Sequence, residues 1–261
     1  MKVKTPAEND LVAAIEYLRR NGLGEIVEAA DVNWTYDTNE KLETADTFNP
    51  DLLDLYRLHQ LVVLNKRTTV IEFGTGWSSW VIADALCKVK TAFAKDVKDL
   101  RRNNPFELHV VDDESKYIDI AKARIPANIK ESVVWHQKSV GMGTFNDRIC
   151  TFYESLPLVS PDLIYVDGPN QFNVHGDVAG WSTRHRDMMP MVGDILRIEH
   201  FLTPGTIVIF DGRAANARFF CSNTQRNWAY QFDPVCDQHI YLLDEEPLGS
   251  YNRKQINFYG A

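Results

Sequence analysis

Residues 70 to 79 read VIEFGTGWSS, and this stretch decides the fold. A short β-branched, apolar run stops at Glu72-Phe73 and breaks into Gly74-Thr75-Gly76, and Ser79 to Val89 then carries helix-compatible spacing. Buried parallel strands are apolar along their length, so an acid and a glycine pair at the end of one mark the sheet edge where ligands gather. Glycine lets the backbone turn sharply and approach a ligand with no Cβ in the way. Ser78 and Ser79 open a helix whose free N–H groups favour a carboxylate or phosphate.

The same texture recurs on the C-terminal side. Leu108 to Val111 stops at Asp112-Asp113-Glu114 and leads into the amphipathic YIDIAKARI. Val133 to His136 is a third strand candidate, and Leu163 to Val166 a fourth, ending at Asp167-Gly168-Pro169. Met191 to Leu202 reads as helix, and Thr206 to Phe210 as a fifth strand ending at Asp211-Gly212. Gln238 to Leu243 and Gln255 to Tyr259 read as two closing strands; their short connection makes them antiparallel, because a parallel crossover needs a dozen or more residues. On the N-terminal side, residues 8 to 30 read as helix, with Leu11, Ile15, Leu18 and Ile26 on one face and a break at Asn21-Gly22. Asn33 to Asn49 is polar and irregular, and Asn49-Pro50-Asp51 caps the helix DLLDLYRLHQLVVL with proline at its first position. Strands alternating with helices predict a three-layer α/β fold with a mostly parallel, seven-stranded sheet and an antiparallel closing strand. Residues 1–65 read as an N-terminal helical cap and 66–261 as the ligand-binding domain.

Composition narrows the function. The 261 residues are 44% hydrophobic and 25% charged, as in ordinary globular proteins. Lys plus Arg number 28 against 36 Asp plus Glu, a net charge of −8, and such a field argues against nucleic acid as a partner. Cys87, Cys150, Cys221 and Cys236 form no CxxC pair, so neither a disulfide scaffold nor a zinc site is expected. No apolar run approaches the ~20 residues of a membrane helix. The opening MKVKTPAENDLV is too polar for a signal peptide, so a cytoplasmic protein is expected. Thr91 to Asn104 reads as a surface insertion. Lys88, Lys90, Lys95, Lys98, Arg101 and Arg102 read as a solvated face, interrupted by Asp96 and Asp99.

The candidate site consists of Glu72, Gly74, Gly76, Asp112, Asp167 and Asp211, each at a predicted strand end. A dinucleotide fingerprint wants glycine where Ser79 stands and an acid ~20 residues on, whereas Asp112 follows Gly74 by 38. Asp112 is placed to accept hydrogen bonds from a ribose diol, with Asp113 and Glu114 open to the same role. Residues 168–187, GPNQFNVHGDVAGWSTRHRD, are longer and more polar than a crossover requires, and long loops in compact domains carry function. His175 and His185 lie there as general-base candidates, His175 being closer in sequence to Asp167. Arg213 and Arg218 point to an anionic acceptor, because a guanidinium pairs well with carboxylate or phosphate. His59 and His200 on helices, and His109, His136 and His239 on strands, read as structural. Trp77 and Trp80 read as core or pocket wall.

Taken together, VIEFGTGWSS, LHVVDDESKYIDIAKARI, DLIYVDGP and PGTIVIFDGR resemble the successive motifs of the class I S-adenosylmethionine-dependent methyltransferases, closest to the small-molecule O-methyltransferase-like branch. The resemblance implies a Rossmann-like methyltransferase fold with S-adenosyl-L-methionine as cofactor. Glu72 and the turn Gly74-Thr75-Gly76 would line its methionine end, with Ser78 and Ser79 near its carboxylate. Asp112, with Asp113, would hold the ribose hydroxyls. Asp167 would lie beside the sulfonium and the acceptor. Ser78 stands where many members carry a third glycine. Methyl transfer is an in-line displacement, so the protein must align the acceptor and remove its proton. Asp167, His175 and Asp211 are the catalytic candidates, and His185 and Arg213 the substrate-binding ones. Metal-dependent members carry an Asp-Asn pair after the fifth strand. Here Asp211-Gly212-Arg213 lacks it and Asn216 is at the wrong offset, so a divalent metal is not favoured.

The expected activity is methyl transfer to an oxygen, less readily a nitrogen, of a small polar or anionic acceptor such as a sugar or natural-product intermediate. An oligomer is compatible with the sequence. Rival readings are a non-catalytic cofactor-binding module or partner subunit, and an NAD(P)-dependent oxidoreductase, against which Ser79 and the closing strands weigh. A nucleic-acid methyltransferase would show an Asn/Asp-Pro-Pro-aromatic tetrapeptide after the fourth strand, and none is there.

Overall fold

The computed structural model describes residues 1–33 and 48–261. Three helices, α1 (Leu11–Arg20), α2 (Gly24–Ala29) and α3 (Leu52–Leu64), precede β1 (Thr69–Phe73). Then come α4 (Trp77–Val97), β2 (Glu107–Asp112), α5 (Ser115–Arg124), β3 (Val133–Gln137), β4 (Val140–Phe145), β5 (Arg148–Tyr153) and β6 (Leu163–Val166). The chain continues through β7 (Val174–His175), α6 (Asp194–Ile198), β8 (Ile207–Asp211), α7 (Ala214–Asn223), β9 (Trp228–Asp233), β10 (Gln238–Leu243) and α8 (Gly249–Gly260).

Seven strands form one sheet in the order β3-β2-β1-β6-β8-β10-β9. The pairs joining β3 through β8 are parallel, and β10 is antiparallel to both its neighbours. This is the α/β, Rossmann-like arrangement expected from the strand ends. Alternation along each strand sends neighbours to opposite faces. Val70, Leu108 and Ile207 pack under α1, α3 and α4, while Ile71, Ile164 and Phe210 pack against α6 and α7. The N-terminal helices share the first of these cores with the sheet. A polar chain also ties them down: the Tyr17 hydroxyl meets His59 Nδ1 at 2.8 Å and His59 Nε2 meets Asp84 Oδ2 at 2.9 Å, with His59 wholly buried. No helix among the described residues is long and apolar enough to cross a membrane.

Several expectations need correction. Gln255 to Tyr259 is not a strand but part of α8. Asn252, Gln255 and Tyr259 are its buried residues, an i, i+3, i+7 set, and a short apolar run does not distinguish strand from helix. The second closing strand is β9, an edge strand whose residues are mostly exposed and which therefore carries no strong apolar signal. Thr91 to Asn104 is no insertion over its first half: α4 runs on to Val97, which is buried in a cluster with Val89 and Phe106. Arg102 is not solvated, since its Nη2 lies 3.2 Å from the buried carboxylate of Asp162. The cap of α3 is Asp51, which accepts N–H bonds from Leu53 and Asp54, so Pro50 precedes the cap instead of opening the helix. The helix expected over Met191 to Leu202 is shorter, α6 followed by one 3₁₀ turn. Most of the polar stretch Asn33 to Asn49 lies outside the described residues.

A hairpin outside the sequence-based expectations follows β3. β4 and β5 pair antiparallel across Asn146-Asp147, both at positive φ as a two-residue hairpin turn requires, and β7 joins them in a second, three-stranded sheet.

Candidate active site at the strand ends

From β1 the chain winds outward through β2 to β3, and from β6 it winds the other way through β8. The crevice outside the carboxyl ends of β1 and β6 is therefore the switch point where open α/β sheets bind ligands. Glu72, Asp112, Asp167 and Asp211 come to this one edge because their strands are neighbours in parallel register.

The two glycines of the first turn have different reasons to be there. Gly74 sits at φ +94°, and a Cβ on it would lie 2.8 Å from the backbone carbon of Asp167. A Cβ on Gly168 would in turn lie 2.5 Å from Gly74 Cα. The turns after β1 and β6 thus cross in direct contact, fixed by Asp167 N–H donating to the Phe73 carbonyl at 2.8 Å and Gly74 N–H to that of Val111 at 2.9 Å. Gly76 is extended, and the nearest atom to a Cβ there is Ser78 Oγ at 3.9 Å. Nothing in the described protein forbids a side chain at 76; glycine leaves that space open at the start of α4.

Glu72 is fully buried beneath the turn. Ser78 Oγ donates to one of its carboxyl oxygens and Ser79 Oγ to the other at 2.7 Å, while Thr75 Oγ1 meets Ser79 Oγ at 3.0 Å. Burial pushes the Glu72 carboxyl up to about 8, against the pull of the two hydroxyls. The side chains of Ser78 and Ser79 face inward onto Glu72, which leaves backbone N–H groups as what the helix start offers a ligand.

At the end of β2, Asp112 is 7% exposed and accepts the Glu114 N–H at 2.8 Å. Burial raises its carboxyl to about 7 and that of Asp113 to about 6. The segment after β6 crosses over these acids: Asn173 Nδ2 donates to Asp113 at 2.6 Å and Asn170 Nδ2 to Glu114 at 2.7 Å. Both asparagines were missed in the sequence, where the only signal was their place in GPNQFN.

Asp167 and Arg213 are brought together. Arg213 Nε lies 3.4 Å from Asp167 Oδ1, Nη2 donates to the Asp167 carbonyl at 2.5 Å, and Nη1 to that of Pro169 at 3.3 Å. The guanidinium thus braces this turn. The surrounding protein pushes the Asp167 carboxyl upward and Arg213 opposes it, but 49% of the side chain is open, so water still reaches it. Tyr165 donates its hydroxyl to Asp211 Oδ2 at 2.8 Å, while Asp211 Oδ1 is buried with no partner among the described residues. Burial first, and then the charge of Asp167, lift Asp211 to about 7.

A further carboxylate arrives from α3. Arg57 Nε contacts Gln238 Oε1 at 3.4 Å, and Gln238 pairs in register with Asp211, so the first turns of α3 face the end of β8. Asp54 is lifted to about 9, by burial first and then by Asp211 and Asp51. Nothing local in the chain signals this, because Asp54 reads as an ordinary first-turn acid. Among the described residues, no group of three or more histidines, cysteines or acids has an arrangement that could hold a metal ion.

The two histidine candidates lie elsewhere. His175 is exposed on β7, pairs with Gly141, and lines a cavity of about 300 Å³ with Met142, Phe152, Glu154 and Arg197. No hydrogen bond joins it to Asp167 or Asp211 among the described residues. His185 is exposed, with Nδ1 3.9 Å from Asp187.

No protein-family model matches the chain, and no curated relative matches it. Among the solved structures that show a distant likeness are three methyltransferases. The O-methyltransferase TomG from Streptomyces achromogenes, in complex with S-adenosylmethionine (SAM), is 15% identical with a TM-score of 0.38, covering 92% of each chain. An O-methyltransferase from Bacillus cereus, in complex with S-adenosylhomocysteine (SAH), is 14% identical with a TM-score of 0.41, over 92% of this chain and 93% of that one. The SAH-bound methyltransferase PaMTH1 from Podospora anserina is 12% identical with a TM-score of 0.44, over 94% and 91%. At these levels the likeness assigns no activity, and the chain's own sheet order and strand ends carry the reading.

Proposed function

We propose that the protein is an S-adenosylmethionine-dependent methyltransferase acting on an oxygen of a small acceptor. The observation that supports this best is the placement of Glu72, Asp112, Asp167 and Asp211 at the carboxyl ends of four adjacent strands around the switch point. The crevice fits the cofactor in two further respects. The space above Gly76 is open at a helix start, suited to a carboxylate. Asp112 and Asp113 stand at the end of β2, where a ribose diol would find acceptors.

S-adenosylmethionine, when bound, supplies an electrophilic methyl group on a sulfonium. The protein's part is then to orient the acceptor and take its proton. Asp167, half-open beside the β1 turn, orients it. Asp211 is assigned as the base: it stands at the end of β8 beside Asp167, and burial lifts its carboxyl towards neutral pH, where a general base is most effective. His175, the sequence-based candidate, faces a different cavity. The acceptor is neutral in this reading, because the nearby Arg213 is already bonded within the turn after β6 instead of being turned to an anion.

The test is isothermal titration with SAH, using NAD and NADP as controls, on wild type and Asp112→Ala. Saturable binding of SAH alone, weakened at least tenfold in the variant, is expected. Binding of a nicotinamide only, or of nothing, would remove the methyltransferase reading.

A further inference from the structure

Arg57 is wholly buried on α3, and its side chain is answered by three separate elements. Nη2 pairs with Asp233 Oδ2 of β9 at 2.6 Å, Nη1 donates to Asn9 Oδ1 ahead of α1, and Nε donates to Gln238 Oε1 of β10 at 3.4 Å. A guanidinium has donors and no acceptor, so the Gln238 amide can bond Arg57 only through its oxygen, and its NH₂ group must point elsewhere. Gln238 is itself wholly buried, and that NH₂ nitrogen has no hydrogen-bond partner among the described residues.

Strand register places Asp211 beside it. Gln238 and Asp211 are cross-strand partners on the antiparallel β10 and β8, so their side chains leave the same face of the sheet. It is the face on which Ile209 and Ile240 pack with α3. Gly212 N–H donates to the Asp237 carbonyl at 3.1 Å, and Leu243 N–H to that of Thr206 at 2.9 Å. Hydrogen-bonded and non-hydrogen-bonded pairs alternate along such a ladder. The Asp211–Gln238 pair, one step from Gly212–Asp237, is therefore of the second kind, in which side chains stand closest. Tyr165 holds Asp211 Oδ2, and Oδ1 is left as a buried acceptor without a partner. A free donor and a free acceptor thus stand on neighbouring side chains. Around Asp211, burial, Asp167 after β6 and Asp51 before α3 push its carboxyl up, while Tyr165 of β6 and Gln238 oppose them, and Asp54 of α3 feels its charge.

We infer that Gln238 is a positioning residue for Asp211: its amide, turned by Arg57, donates an N–H to Oδ1 and holds the carboxylate towards the acceptor. The inference rests on the methyltransferase reading above, in which Asp211 is the base. It also gives the buried Arg57 a purpose, because that side chain links the N-terminal helices to the strand end where the base stands.

The test is a carbon-13 titration of the Asp211 carboxyl in ligand-free protein, on wild type, Gln238→Met and Gln238→Glu, with the signal assigned by its loss in Asp211→Asn. Methionine keeps the volume and removes the amide; glutamate keeps an acceptor for Arg57 and removes the donor. Arg57 keeps Asp233 and Asn9 in either variant, so the fold is retained. Loss of one hydrogen bond to a carboxylate should raise the midpoint by about one pH unit in Gln238→Met, and at least as much in Gln238→Glu. An unmoved midpoint in both, with a lowered unfolding temperature, would overturn the inference and leave Gln238 a merely structural residue. A midpoint raised in Gln238→Glu alone would overturn it too, since the added charge by itself explains that shift. SAH titration of wild type runs beside these. Failure to bind SAH removes the base role together with the methyltransferase reading, whereas an unmoved midpoint removes the Gln238 contact whichever way SAH behaves.

Discussion

Alanine at position 74 and alanine at position 76, two residues apart on one turn, should have opposite consequences. Gly74 lies at φ +94°, where an L-residue is strained by about 1–2 kcal/mol. Its new Cβ would also sit 2.8 Å from two backbone atoms, Asp167 C and Gly168 N, which cannot rotate away as a side chain would. Overpacking of that kind costs about 1–3 kcal/mol, so Gly74→Ala should lose about 2–5 kcal/mol in all. For a chain of this size that lowers Tm by about 5–15 °C. Gly76 is extended and faces open space, with nothing closer than 3.9 Å. Gly76→Ala should keep Tm within about 2 °C, because alanine loses less chain entropy than glycine on folding. Its methyl group occupies the space assigned to the ligand, so SAH affinity should fall at least tenfold. Differential scanning calorimetry and titration calorimetry on both variants check the pair. A Gly76→Ala protein that binds like wild type, or a Gly74→Ala protein as stable as wild type, would refute the division of the turn into a structural and a ligand-facing glycine.

Three other outcomes follow from the same geometry. Asp162 accepts from Thr68, Thr69 and Tyr259 and pairs with Arg102 beside the buried Arg67, so Asp162→Ala leaves buried guanidinium groups uncompensated and should cost about 3–5 kcal/mol, read from the urea midpoint. Glu72 has a folded pKa of about 8, above that of an unfolded carboxyl, so the fold holds a proton that the unfolded chain has released. Its contribution is complete below about pH 4 and declines as pH rises towards 8; the fall in urea midpoint from pH 5 to 8 should flatten in Glu72→Gln, and an unchanged slope would contradict the assignment. If Asp211 is the base, kcat/KM for an acceptor should rise along a limb centred near pH 7, and Asp211→Asn should remove that limb along with most of the activity.

How far the sequence spoke depends on the element. The ends of β1, β2, β6 and β8 were legible because a buried parallel strand is apolar until it meets the sheet edge, where Glu72, Asp112, Asp167 and Asp211 interrupt it. The edge strand β9 was not, since WAYQFD is mostly exposed and lacks a clean period. α8 was misread because Ile256, Phe258 and Tyr259 fall close together, while the buried helical face runs through the polar Asn252 and Gln255.

The sequence by itself thus determined the layered α/β architecture, the edge of the sheet at which the acids collect, and the glycine turn that opens α4. Each of these depends on near neighbours in the chain: apolar period, strand length and turn chemistry. Only the tertiary structure decided which side chains meet there. Arg213 is bonded to Asp167 across 46 residues, Ser78 and Ser79 turn inward to Glu72, Asp54 enters from a helix before the first strand, and Tyr153 reaches Phe73 from an inserted hairpin. Most of these contacts follow from strand order and helix packing over long separations, which no local pattern encodes.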